Sequence, residues 1–148
     1  MNIANILARK GSIAVTVRPE ESIREALALL DRHNIGALIA VEGNRPVGIL
    51  SERDIVREAA RNEGFLERSV ADLMTRDVIT GQPHDDLLAV AHTMTERRIR
   101  HLPVVDSGGR LVGMVSIGDV VKAQRDHYQG EVDTLQMQLL GDESGPPR

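Results

Sequence analysis

The chain has 148 residues with 18 basic against 22 acidic side chains, a formal net charge of −4, which is length enough for one globular domain or for two small units sharing a core. That balance offers no general attraction for nucleic acid or an anionic membrane, so any phosphate binding is local, and one Phe, one Tyr and no Trp exclude aromatic base-stacking platforms and make the core aliphatic. The absence of cysteine excludes disulfides and thiolate chemistry and fits a cytoplasmic protein, while the start of the chain lacks a signal-peptide pattern and no apolar run reaches the roughly 18–20 residues of a membrane span.

Residues 1–13 form an N-terminal segment ahead of the first element. Ala14-Val15-Thr16-Val17 reads as a short strand. The turn at Pro19 then leads to Ser22, which with Glu25 has the S-x-x-E form of a capping box. The helix it opens carries Ile23, Ala26, Leu27 and Leu30 on one face. Residues 37–41 and 46–50 are apolar runs on either side of Glu42-Gly43-Asn44 and predict a hairpin. Ser51-Glu52-Arg53-Asp54 opens a second helix with Ile55, Val56 and Ala59, so residues 14–62 make a β-α-β-β-α unit.

Residues 63–76 place Val70, Leu73 and Met74 at helical spacing and predict an ordered connector. Residues 77–123 repeat the unit. A strand at Val78-Ile79 and a turn at Pro83 precede a helix from Asp86 with Leu87, Val90, Ala91 and Met94 inward. A hairpin follows, residues 102–105 and 111–115 around Asp106-Ser107-Gly108-Gly109, and then a helix from Ser116. Such internal repetition predicts an α+β fold in which both units pack as one body. Residues 124–148 carry Val132, Leu135, Met137, Leu139 and Leu140 in a C-terminal helix, followed by a polar, proline-rich tail.

The repeated string G-x-x-S-x-x-D is the chief candidate for chemistry. It appears as Gly48/Ser51/Asp54 and again, 65 residues on, as Gly113/Ser116/Asp119. Each marks a strand end running into a helix start, where free N–H groups and the helix dipole face an anion and a carboxylate can accept both hydroxyls of a ribose cis-diol. The competing explanation is a serine N-cap with Asp three residues on, which needs no ligand. Ser116, Asp119 and His101 lack the glycine pattern of a nucleophile elbow, so a hydrolase is set aside and no catalytic residue is assigned. His84-Asp85-Asp86 with His92 has no i, i+4 histidine pair and no thiolate, so no metal is expected.

The two units resemble CBS domains, paired as a Bateman module. The resemblance rests on Ile35-Gly36-Ala37-Leu38-Ile39 with Gly48-Ile49-Leu50-Ser51-Glu52-Arg53-Asp54, and on Ile99-Arg100-His101-Leu102-Pro103-Val104-Val105 with Gly113-Met114-Val115-Ser116-Ile117-Gly118-Asp119. It implies two β-α-β-β-α repeats related by a pseudo-two-fold axis in one compact module. It also implies two clefts that take an adenosine-containing ligand such as AMP, ADP, ATP, NAD or S-adenosylmethionine, without chemistry on it.

Carried over residue by residue, Asp54 with Ser51 and Asp119 with Ser116 hold ribose, while Ile35, Gly36, Ala37 and Ile99, Arg100, His101 contact adenine. The segments entering the first strands, Lys10 to Ala14 with Ser12, and Thr75, Asp77 and Val78, contribute further contacts. Arg53, Arg100 and His101 supply donors for phosphate. The second repeat, which has Pro103 where the first has Ile39, follows the family pattern more fully, so the clefts are expected to differ. Which hairpin serves which Asp stays open. The resemblance also implies a homodimer, with the Val132/Leu135/Leu139 stripe either joining its interface or packing on its own module. With no effector domain fused to the repeats, the output is expected to act on a partner in trans or through ligand sequestration. The alternative function is a ligand-independent scaffold.

Overall fold

Apolar residues sort into two half-cores, one under each hairpin, within the residues that the computed structural model describes, 1–11 and 14–143. In the first half, β1 (Thr16–Val17) pairs in parallel with β2 (Ala37–Glu42), and β2 pairs antiparallel with β3 (Arg45–Ser51). The β2–β3 connection is tight because Gly43 and Asn44 both adopt positive φ, 56° and 62°, as a two-residue hairpin turn requires. Helix α2 (Ile23–His33) begins where Ser22 Oγ accepts the Glu25 N–H at 3.1 Å, and it buries Ile23, Ala26 and Leu30. Helix α3 (Glu52–Arg61) follows β3 and buries Ile55.

The second half repeats this with α5 (Leu87–Arg97), β4 (His101–Val105), β5 (Leu111–Ser116) and α6 (Ile117–Glu143). The hairpins share one register: Ala37 faces Ser51 as His101 faces Ser116, and each has an irregularity near its tip, at Ala40/Val41 and Val104/Val105. The strand expected at Val78-Ile79 does not form. The equivalent of the Val17–Ala40 pair is a single parallel bridge, Gly81 to Val104. Gly81 is poor strand material, and Pro83 stops extension two residues later.

Two helices cross between the halves. The N-terminal segment, for which no structure was expected, is helix α1 (Ile3–Lys10), capped by a reciprocal Asn2/Asn5 box. It buries Ile3, Ile6 and Leu7 in the half-core of the second repeat, beside Leu87, Val90, Met94, Leu102, Val115 and Val120. Its start is tied down by Ile3 N–H to Asp85 O at 3.0 Å and Ala4 N–H to Pro83 O at 2.7 Å. The connector helix α4 (Val70–Leu73) does the same for the first repeat: Val70 N–H reaches Glu21 O and Ala71 N–H reaches Pro19 O, both at 2.8 Å. Each helix thus precedes one repeat and packs on the other. Thr75, just past α4, bridges Ile49 on β3 through two backbone hydrogen bonds of 3.0 and 2.8 Å.

The C-terminal helix expected beyond residue 123 is a continuation of α6. At 1.5 Å per residue α6 is about 40 Å long, and every residue whose exposure is described from Arg125 to Gly141 is exposed. The Val132/Leu135/Leu139 stripe therefore does not pack on its own module. No helix among the described residues is long and apolar enough to cross a membrane.

Because Ile3 is fully buried, Ile3→Ala is expected to destabilise the fold by about 2–4 kcal/mol, measured by urea unfolding. An unchanged midpoint would show that α1 is not part of the core.

Candidate functional site

Each G-x-x-S-x-x-D string folds into the same local knot. In the first, the Ser51 N–H and hydroxyl donate to Asp54 Oδ2 at 2.9 and 3.0 Å, and the Asp54 N–H returns to Ser51 Oγ at 3.3 Å. In the second, the Ser116 N–H donates to Asp119 Oδ2 at 2.8 Å and the Asp119 N–H to Ser116 Oγ at 3.1 Å. Both are capping boxes, so the structural explanation of the string holds. The boxes also fix each carboxylate at a helix N-terminus that follows a strand end.

Around Asp54 lies a cleft of about 830 Å³. Its walls come from both repeats. Gly36, Ser51, Arg53 and Asp54 come from the first repeat, Ile99, Arg100 and His101 from the second, and Thr75, Asp77 and Val78 from the segment after α4. Asp54 thus shares a cleft with residues that open the second hairpin, Arg100 and His101, as well as with Gly36 ahead of the first. Such mixing follows from the crossing of α4, which lays the connector along β3.

Of the remaining sequence candidates, Ile35 packs on the first half-core, and Ala37 and Pro103 are buried within β2 and β4, so none of the three lines this cleft. Ala14 is half-buried and also lies outside its walls, and Ser12 lies outside the described residues. Ser116 and Asp119 are not among its lining residues, and Asp119 lines a small hollow of about 110 Å³ with Arg9, Lys10, Lys122 and Asp126.

The cleft also holds residues that sequence reasoning missed: Ile49, Glu52, Val56, Arg57, Ile79 and Arg98 as wall residues. Val56, carried on the helix that Ser51 opens, is 66% exposed and forms part of the cleft wall. Arg57 was findable, lying one helical turn beyond Arg53. Arg98 ends α5 in the left-handed region at φ 54°, where its counterpart in the first repeat is Asn34 at φ 51°. Asn enters that region readily and Arg does not. Among the described residues, Arg53, Arg57, Arg98 and Arg100 have no ion pair and no side-chain hydrogen bond. Four uncommitted guanidiniums in one cleft make an anion site with bidentate donors.

Asp119 is occupied differently. The Lys10 ammonium, from the end of α1, donates to Asp119 Oδ2 at 2.7 Å and to Met114 O at 2.9 Å. Partial burial raises the affinity of Asp119 for its proton, but the hydrogen bonds from Lys10 and Ser116 outweigh that and hold its pKa below the ordinary aspartate value.

Comparison with known proteins agrees with this architecture. The CBS domain family model matches residues 11–61 and 70–126. The CBS domain-containing protein CBSX3 of Arabidopsis thaliana is 32% identical over 149 residues, covering 94% of this chain and 72% of the relative. The crystal structure of the CBS-domain protein ATU1752 from Agrobacterium tumefaciens superposes with a TM-score of 0.78 at 40% identity, over 84% of this chain and 99% of that one. The CBS pair of MJ0100 in complex with 5-methylthioadenosine and S-adenosyl-L-methionine gives 0.77 at 30% identity, over 86% and 98%. PAE2072 from Pyrobaculum aerophilum, complexed with AMP, gives 0.73 at 29% identity, over 80% and 89%.

His101 stands between the two motifs, on the wall of the open cleft and opposite Ser116 in the β4–β5 register. Burial lowers its pKa below the usual imidazole value, reinforced by the charges of Lys10 and Arg100 and opposed by Asp119 and Glu52. The folded protein therefore keeps His101 neutral at pH values where the unfolded chain, with a pKa of about 6.5, has bound a proton. Its contribution to stability is present above that value and falls as the pH drops from about 6.5 to the lowered folded pKa. Thermal melts of wild type and His101→Gln at pH 7.5 and 5.0 check this: the wild type should lose more on acidification than the variant. Equal losses would show that His101 is solvated as in the unfolded chain.

Proposed function

The chain belongs to the CBS-domain family as a tandem pair, and from that premise we propose that it is a regulatory module whose Asp54 cleft binds an adenosine nucleotide carrying phosphate. The observation that supports this reading is the composition of the cleft. Asp54 is fixed by Ser51 and free of any cation among the described residues, and Arg53, Arg57, Arg98 and Arg100 surround the same space uncommitted. In this reading the ribose hydroxyls donate to the carboxylate, adenine lies against Ile99 and Val78, and the phosphates meet the guanidiniums with a neutral His101 as a further donor.

In this reading the cleft binds its ligand and does no chemistry on it. A ligand held by Asp54 of one repeat and Arg100 of the other contacts both, and its affinity is therefore higher for whichever relative placement of the repeats brings those groups together. That differential affinity is what lets a ligand shift a conformational equilibrium. Related pairs have been solved with AMP and with 5-methylthioadenosine and S-adenosyl-L-methionine. The arginine content favours AMP, ADP, ATP or NAD over the last two, one uncharged and the other a sulfonium cation.

Titration calorimetry on nucleotide-free protein tests the ligand. ATP and ADP should bind more tightly than AMP, and AMP more tightly than S-adenosylmethionine, with the ATP affinity falling as salt rises. Asp54→Ala should weaken AMP by about tenfold to a hundredfold, since hydrogen bonds to a charged group contribute about 1.5–3 kcal/mol. Absence of heat with every nucleotide would favour the scaffold reading.

The scaffold reading has its own observation. Val121, Tyr128, Val132, Leu135 and Leu139 are all exposed on α6 and fall on alternating three- and four-residue steps once Arg125 is included, which is the seam spacing of a coiled coil. A homodimer through α6 is the proposed use of that stripe. Light scattering of the full chain and of a chain ending at Gln124 decides it: dimer and monomer are expected, and equal masses would clear α6 of the role.

A further inference from the structure

The two crossing helices correspond at a separation of 67 residues: Asn2 and Ser69 cap them, and Ile3 N–H on Asp85 O and Ala4 N–H on Pro83 O match Val70 N–H on Glu21 O and Ala71 N–H on Pro19 O, but α1 runs on to Lys10 whereas α4 ends at Leu73. At Thr75 the backbone meets β3: its N–H donates to Ile49 O at 2.8 Å. At the equivalent place on β5, Met114 O accepts the Lys10 ammonium instead, at 2.9 Å, and the same ammonium goes on to Asp119 at 2.7 Å. The longer α1 therefore changes what sits on the motif carboxylate. Asp54 has only its own Ser51, whereas Asp119 has a cation from another element.

We infer that Lys10 is the residue that selects between the two clefts, holding Asp119 with its own ammonium so that nucleotide enters at Asp54. Oδ2 accepts two hydrogen bonds in each motif carboxylate, but both of those on Asp54 come from the neutral Ser51, whereas one of those on Asp119 comes from the Lys10 ammonium, which neutralises the charge to which ribose hydroxyls would donate. The Lys10 side chain is presented from a fixed base. Ile6 and Leu7 are buried in the second half-core, and the helix closes with Gly11 N–H on Leu7 O at 2.8 Å. The pair is partly shielded, with Lys10 and Asp119 side chains 34% and 24% exposed, so it is not simply dissolved by water as a surface pair is.

This inference rests on the nucleotide reading of the motif carboxylates, and it reverses the role that resemblance gives to Lys10, from ligand contact to competitor. The test is titration of the full chain with ADP, comparing wild type, Lys10→Met, Lys10→Arg and the double variant Lys10→Met/Asp119→Ala. Wild type and Lys10→Arg should bind one ADP per chain at accessible concentrations. Lys10→Met should show a second site, strengthened by about tenfold or more, the loss of one charge-assisted hydrogen bond from the competitor. The double variant should return to one. Lys10→Gln serves as a second probe if Lys10→Met melts below the wild type. Unchanged stoichiometry in Lys10→Met and Lys10→Gln, or weaker binding at a site already filled in wild type, overturns the inference while leaving the Asp54 reading standing. No heat with ADP in any of the proteins overturns both.

Discussion

A serine N-cap whose aspartate partner turns back on it is the interaction on which the rest depends. It ends β3 and begins α3, and it repeats between β5 and α6. Its worth to the fold is that of any capping box, about 1 kcal/mol. Its worth to the site is positional. Ser51 gives both of its hydrogen bonds to Asp54 Oδ2, so Oδ1 carries no donor among the described residues. The carboxylate is thus held in one orientation at a helix N-terminus without being consumed by the cap. Capping and ligand binding, rival explanations of the string when it is met as sequence, turn out to be compatible uses of one side chain.

What converts two such knots into unequal clefts is the crossing of α1 and α4. Each helix precedes one repeat and buries its apolar face in the other, so the segment that follows it runs over a strand end of the opposite repeat. Over β3 this segment offers the Thr75 backbone, and Met74 fills the space left by Gly48, where a Cβ would collide with its thioether. Near β5 it offers Lys10. The opposing hairpins differ as well, with Gly36 and Ala37 in one and Arg100 and His101 in the other. The open cleft joins the carboxylate of the first repeat to the cationic hairpin of the second.

Most of the fold was legible in the sequence because the repeat was legible. Paired apolar runs, positive-φ turn residues and S-x-x-D or S-x-x-E caps each point to one local structure, and their recurrence in the same order, 64 residues on at Pro83 and 65 at the second G-x-x-S-x-x-D string, points to the module. Helix α1 escaped although Ile3, Ile6 and Leu7 stand at helical spacing behind Asn2. Eight residues are too few for that signal to stand out against a loop without a visible partner. The missing strand at Val78-Ile79 is a case where β-branched residues promised pairing and Gly81 with Pro83 limited it to one bridge. Within the site, the motif carboxylates and Arg53, Arg100 and His101 could be named from the pattern. Arg57, Arg98 and the Lys10–Asp119 pair could not, since they depend on which elements cross and on how far a lysine side chain reaches.

The central claim is that the two repeats hold one phosphorylated adenosine between Asp54 and the cationic hairpin. A crystal structure of the protein grown with ADP tests it most directly. The account predicts density in the Asp54 cleft, with both ribose hydroxyls on the Asp54 carboxylate, the phosphates within hydrogen-bond reach of Arg53, Arg98 or Arg100, and Lys10 still on Asp119. An empty Asp54 cleft beside ADP bound at Asp119, with Lys10 drawn away to the phosphates, would contradict it.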